Sequence, residues 1–178
     1  MRRYVVKLCV LFLSAFVCSC ASKPAVVLPP DWGYEKDAIR INIKSDPQLN
    51  LYHGSPHTLV LCGYQLRDPN AFNQLLDEKD GLSKLLECGR FDPSVTYSKR
   101  WIVNPGKDST ESLDRFEGTK YMGIIAGYYY LKKESSTRFF RIPVTEEKKS
   151  GAIVSKIEKL NIDLYLTPQE IQVIGRGK

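Results

Sequence analysis

Along the chain the first regular pattern is an alternation of period two. Ile39, Ile41 and Ile43 are apolar, while Arg40, Asn42 and Lys44 between them are polar. Strand side chains point alternately to opposite faces, so this run predicts a half-buried strand with one wet face. The later run HTLVLCGYQL, residues 57–66, is apolar on both faces and predicts a strand in the middle of its sheet. Further strands are predicted at 98–103, 109–114, 119–131, 137–144, 160–166 and 169–174. Pro105-Gly106, Glu117-Gly118 and Thr167-Pro168 supply breaks between them.

The period changes after residue 67. In DPNAFNQLL, Asp68 is placed to cap open helical N–H groups and Pro69 suits a first helical position. Phe72, Leu75 and Leu76 then share one face at helical spacing. Leu82, Leu85 and Leu86 repeat that spacing after Asp80-Gly81, and Gly89 is the predicted stop. Helices this short do not persist alone in water, so both must pack on the sheet. Many short strands with one helical excursion predict a mainly β, two-sheet β-sandwich carrying a two-helix insertion at about 68–89. The domain itself is expected at 39–178.

The start of the chain follows neither period. Arg2, Arg3 and Lys7 precede an apolar run, Leu8 to Val17, well short of the ~20 residues that span a bilayer. This is the pattern of an export signal. It ends in Val17-Cys18-Ser19-Cys20, which resembles a bacterial lipobox with Cys20 as the lipidated residue and 1–19 as the removed signal. Cys18 does not fit that role, because Val17 would stand where the motif wants a small residue. Ala21 follows, and the absence of an aspartate there points to the outer membrane by the lipoprotein sorting rule. Residues 20–38 hold three prolines and little periodicity, and are expected to form a lipidated tether.

Composition changes the picture little. A hydrophobic share of 43% argues for a folded domain rather than a disordered chain. The net charge of +6 overstates the mature protein, since the signal holds three of the basic residues and no acid. The remaining +3 is mild and the lysines are interleaved with acids, which removes the main support for a nucleic-acid partner.

Candidate chemistry is sparse. His53 and His57 flank Gly54-Ser55-Pro56 in a loop, where a spacing of four has no fixed geometry. A zinc site needs three or four convergent ligands, and the chain holds only two histidines. No nucleophile–base motif or glycine-rich phosphate loop is present, so no catalytic residue, metal or cofactor is expected. Gly123 and Gly127 read as packing positions in a strand, and Tyr128-Tyr129-Tyr130 as cross-strand packing on its two faces. Cys62 and Cys88 stand apart from the signal cysteines. In an oxidising compartment they form either a disulfide, pinning the insertion to the sheet, or two buried thiols.

LNLYHGSPHTLVLCGYQLRDPNAFNQLL, with GLSKLLECGRFDPSV and the later RFFRIPV, resembles the outer-membrane lipoprotein family of type VI secretion systems, TssJ (SciN/VasD). The similarity runs over roughly 39–166. Its markers are Leu49-Asn50, Gly54 and Pro56, Tyr64-Gln65-Leu66 leading into Phe72, and Arg141-Ile142-Pro143. The resemblance implies a transthyretin-like sandwich and a non-enzymatic role. It further implies binding to the periplasmic C-terminal region of TssM, with TssL in the same complex, and an acyl anchor in outer-membrane lipid. The partner loop would be 46–56, with Asn50, Leu51, Tyr52, His53 and Gly54 as its contact residues. Leu49 is expected to turn inward, and Tyr52 and His53 to be exposed. The competing reading is a periplasmic lipoprotein that binds peptidoglycan or a small apolar molecule.

Overall fold

The computed structural model describes residues 26–149 and 152–175, so Cys20 and the lipobox lie outside the described residues. The alternation at Ile39, Ile41 and Ile43 becomes strand β2, Glu35–Ser45, following a short β1, Val26–Leu28. All three isoleucines are buried, as the period required. The remaining elements are β3 (Leu59–Leu66), α1 (Asn70–Asp77), α2 (Gly81–Leu85), β4 (Val95–Val103), β5 (Ser109–Arg115) and β6 (Tyr121–Ala126). After them come α3 (Lys133–Ser136), β7 (Thr137–Arg141), β8 (Val144–Lys149), β9 (Ala152–Ile157), β10 (Leu160–Leu166) and β11 (Ile171–Val173).

Two four-stranded sheets form the sandwich, with orders β11-β10-β2-β5 and β4-β3-β6-β7. β2 and β10 are parallel neighbours, Ile39 lying opposite Leu160 and Ile43 opposite Leu164. Between the sheets, the isoleucines of β2 and Leu160, Ile162 and Leu164 of β10 pack with Leu59, Leu61, Trp101, Met122 and Ile124. The opposite face of β3 carries Cys62, Tyr64 and Leu66, which pack with Phe72, Leu75 and Leu85 of the insertion. β3 is therefore buried on both faces, as its unbroken apolar run predicted. Gly63 makes room for one of these layers. A Cβ there would lie 2.7 Å from the Trp101 ring and 2.6 Å from the Met122 methyl.

Several boundaries differ from the sequence expectation. The stretch read as tether, 20–38, includes strand at 26–28 and 35–38. Asp37 takes a left-handed φ of 52° within a bulge, which breaks the alternation there. The strand expected at 119–131 ends at Ala126, and the run at 137–144 divides between β7 and β8. A hairpin, β8 with β9, was not expected; with β1 it makes a third sheet, β1-β9-β8. Its strands are largely charged or half-exposed, so no burial period marks them. α1 starts one residue later than Asp68-Pro69 implied, although Asp68 still accepts the Asn70 N–H at 3.1 Å. α2 ends at Leu85 with Leu86 as a right-handed C-cap, four residues before the expected stop at Gly89, and the left-handed residue beyond it is Cys88, φ 54°.

Candidate functional site

Loop 46–58 closes one end of the sandwich, where β2 finishes. It is anchored before it is exposed. Leu49 is fully buried and turns into the core, as expected. Its carbonyl accepts the His57 N–H at 3.0 Å, drawing the two loop limbs together. The Leu51 N–H donates to the Pro168 carbonyl at 3.0 Å, tying this loop to the one after β10.

The tip is a tight turn. Tyr52 and Ser55 exchange both backbone hydrogen bonds at 3.0 Å, and the two residues between them, His53 (φ 48°) and Gly54 (φ 77°), are both left-handed. Two successive positive φ values are the signature of a type I′ turn, which glycine occupies without steric cost. His53, Gly54, Ser55 and Pro56 are exposed, whereas Leu51 and Tyr52 are half-buried.

Asn50 departs from the contact role expected of it. It is only 4% exposed and takes a left-handed φ of 50°. Its Nδ2 donates to the Thr58 carbonyl at 3.1 Å, and its Oδ1 accepts the Tyr129 N–H at 2.8 Å. A short amide tolerates this backbone conformation and satisfies two part-buried backbone groups at once. Asn50 shapes the loop from inside.

The sequence reading missed the neighbours that Asn50 recruits. Tyr128 is buried and donates to the Glu170 carbonyl at 2.7 Å, pinning the loop after β10; burial pushes its hydroxyl pKa up. Tyr129 and Tyr130 are about half exposed. The Tyr52 ring is stacked on Tyr129, with centroids 4.3 Å apart and planes within 10°. His53 and His57 meet these rings edge-on, His53 at 4.1 Å from Tyr52 and His57 at 5.0 Å from Tyr129. The tyrosine run was visible in the sequence. It was assigned to a strand that in fact stops short of it.

Asp46, at the start of the loop, accepts a hydrogen bond from the Tyr165 hydroxyl and another from the Gln48 N–H at 2.7 Å. These bonds, the tyrosine's first, hold its carboxyl below the usual carboxylate range, and the same pairing raises Tyr165. Beside the tyrosines lies a cleft of about 420 Å³ lined by Tyr130, Lys132, Ser135, Thr167, Gln169 and Glu170. The result is a rigid aromatic knob beside a polar cleft. That combination suits recognition of a protein surface, where tyrosines bring large contact area at low entropic cost.

The two histidines are absorbed into this aromatic cluster, and among the described residues no group of three or more His, Cys, Asp or Glu is placed to hold a metal ion. Cys62 and Cys88 are joined in a disulfide, with Cα atoms 5.2 Å apart, linking β3 to the end of the helical insertion. No helix among the described residues is long and apolar enough to cross a membrane.

Residues 37–169 match the family model described as Type VI secretion lipoprotein, VasD, EvfM, TssJ. Among solved structures the chain is similar to the type VI lipoprotein TssJ1 from Pseudomonas aeruginosa, at 20% identity and a TM-score of 0.57, over 84% of this chain and 99% of that one. It is also similar to Serratia marcescens Lip, a membrane-bound component of the type VI system, at 15% identity and a TM-score of 0.58, over 78% and 98%. A chain in the structure of the TssM C-terminal domain from EAEC aligns at 13% identity and a TM-score of 0.57, over 78% and 98%. At such identities the three likenesses establish the shared sandwich. Curated protein sequences give no match.

Proposed function

Because the chain belongs to the type VI secretion lipoprotein family, matched over residues 37–169, we propose that it anchors that system's membrane complex in the outer membrane. In this reading Cys20 carries the lipid, and the loop end binds the periplasmic C-terminal region of TssM, with TssL in the same assembly. The role is mechanical, and the protein catalyses nothing. Outer-membrane placement rests on the lipobox and on Ala21 after it.

One observation carries the partner reading. The exposed turn at His53-Gly54 stands on a braced platform in which Asn50, Tyr52 and Tyr129 are fixed by hydrogen bonds and stacking. A preorganised loop loses little entropy on docking, so its few exposed groups give affinity efficiently. The binding surface is then wider than residues 50–54. It takes in Tyr129 and Tyr130 and leaves Asn50 beneath.

The direct test is titration of the lipid-free protein with the periplasmic region of the TssM encoded alongside it. Binding that weakens on Tyr52→Ala or Tyr129→Ala supports the reading, and no binding at tens of micromolar ends the TssM claim. A Cys20→Ser variant that still fractionates with outer membrane would refute the anchor.

A further inference from the structure

The β1 sheet and loop 46–58 lie at opposite ends of β2. β2 leaves the β1 end at Glu35 and delivers the chain to the loop at Ser45. Eleven strand residues at ~3.3 Å each separate the two ends by roughly 30 Å. Trp32 lies at the β1 end, where the Lys120 ammonium is 5.9 Å from its ring and the Arg115 guanidinium 5.6 Å.

Granting the lipidation of Cys20 proposed above, the distance from lipid to fold is short. Residues 21–25 alone separate Cys20 from β1. Even fully extended at ~3.5 Å per residue, they let Val26 stand no more than about 20 Å from the lipidated residue. β1 cannot follow the tether freely, because Val26, Val27 and Leu28 pair in parallel with Ala152, Ile153 and Val154 of β9. Through β9 the constraint passes to β8. The whole third sheet is thereby held near the bilayer.

Its surface suits that position. Val27 is 56% exposed, Leu28 48% and Val144 36%. Val27 lies opposite Ile153, and Leu28 opposite Val154, so each face of this thin sheet carries an apolar pair. Lys148 lies on the other side of Ile153 in the ladder, and Val144 and Glu146 share its face, so the Val27 face carries two valines, one cation and one carboxylate. Exposed aliphatic groups beside lysine match the boundary between acyl chains and headgroup phosphates.

We infer that the β1-β9-β8 sheet is a phospholipid-contacting surface that seats the domain on the bilayer with its aromatic loop pointing away. Val27 and Val144, on the face they share with Lys148, enter the headgroup boundary, and Lys148 meets the phosphates. The acyl anchor supplies the attachment and the sheet supplies the orientation.

The test uses the full-length lipidated protein in vesicles of phosphatidylethanolamine and phosphatidylglycerol doped with a photoactivatable phospholipid, followed by peptide mapping. Adducts on 26–28 and 144–157 should exceed those on 46–58 several-fold. A Val27→Asp, Val144→Asp double variant should lower the 144–157 adducts several-fold while still floating with the vesicles. Floating protein with evenly spread adducts, or with adducts concentrated on 46–58, would overturn the inference. Cross-links between two copies of the sheet in place of lipid adducts would do so too, by showing that a second copy covers it. A protein that lacks acyl mass on Cys20 and does not float removes the lipidation premise itself, a result distinguishable from the others by flotation alone.

Discussion

The carboxamide oxygen of Asn50 accepts the backbone N–H of Tyr129, so one buried side chain joins the loop after β2 to the segment after β6. Replacing Asn50 with alanine strands the Tyr129 N–H and the Thr58 carbonyl and places a Cβ-bearing residue without a local amide at φ 50°. The expected loss is about 2–4 kcal/mol in chemical denaturation. Asn50→Gly relieves the backbone cost and should lose less. Equal losses for the two variants would show that the hydrogen bonds alone matter.

Tyr129→Ala removes the stack on Tyr52 while leaving the Asn50 bond to the backbone intact. A stacked pair contributes about 0.5–1.5 kcal/mol beyond its buried area. Global stability should therefore fall modestly, while amide hydrogen exchange across 51–57 quickens by roughly tenfold, the factor that corresponds to ~1.4 kcal/mol. Unchanged exchange in the loop would mean that the backbone bonds brace it without the rings.

Gln65 is fully buried and spends its whole side chain on one neighbouring segment. Its Nε2 donates to the Asp114 carbonyl at 2.7 Å, and its Oε1 accepts from the Phe116 N–H and the Thr119 hydroxyl. Gln65→Leu keeps the volume but takes this partner from the Asp114 carbonyl and the Phe116 N–H, while the Thr119 hydroxyl keeps its bond to Thr96, and should cost about 2–4 kcal/mol. A loss below ~1 kcal/mol would indicate that water replaces the amide.

The Cys62–Cys88 bridge closes a loop of 26 residues. The chain-entropy relation gives about 3.5 kcal/mol for a loop of this length. Reduction, or the double substitution to alanine, should lower the unfolding free energy by roughly that amount and loosen the insertion before the sandwich. Intact mass with and without reductant after thiol alkylation checks the bond directly; two free thiols in protein purified without reductant would refute it.

The Asp46–Tyr165 pair predicts an acid-sensitive loop. The folded carboxyl titrates below its unfolded counterpart, so its stabilising contribution is complete above the ordinary carboxylate range and is lost as pH falls through the lowered folded value. Raised Tyr165 acts on the opposite limb, its contribution present below the ordinary phenol range and lost in strong alkali. In Tyr165→Phe, the Asp46 carboxyl resonance should titrate closer to the ordinary range. An unmoved titration would assign the shift to the Gln48 N–H instead.

The sequence was most legible where burial is one-sided or complete. The isoleucines of β2, the unbroken apolar run of β3 and the Phe72–Leu75 face of α1 each leave a periodic trace because each packs on a core. β8 and β9 left none, since neither of their faces is fully covered and charged residues interrupt the pattern. The tyrosine run misled because Gly127, expected as a packing position within a strand, instead follows the last residue of β6, Ala126. Asn50 is expected as a contact residue only because the family resemblance assigns partner binding to this loop. Its burial depends on Tyr129, brought beside it from far along the chain.

The parallel pairing of β2 with β10 sets an order on folding itself. Asn42 and Asp163, which bond through their side chains, are separated by 121 positions. Closing so large a loop carries a high entropic barrier, and ladders of high contact order assemble late. The central sheet thus waits for nearly the entire polypeptide to emerge. A chain truncated before Leu160 would leave β2 with one bare edge and Ile39, Ile41 and Ile43 without their ladder neighbours Leu160, Ile162 and Leu164, a species headed for aggregation and proteolysis rather than assembly. Completion of synthesis is, for this protein, a checkpoint written into strand order.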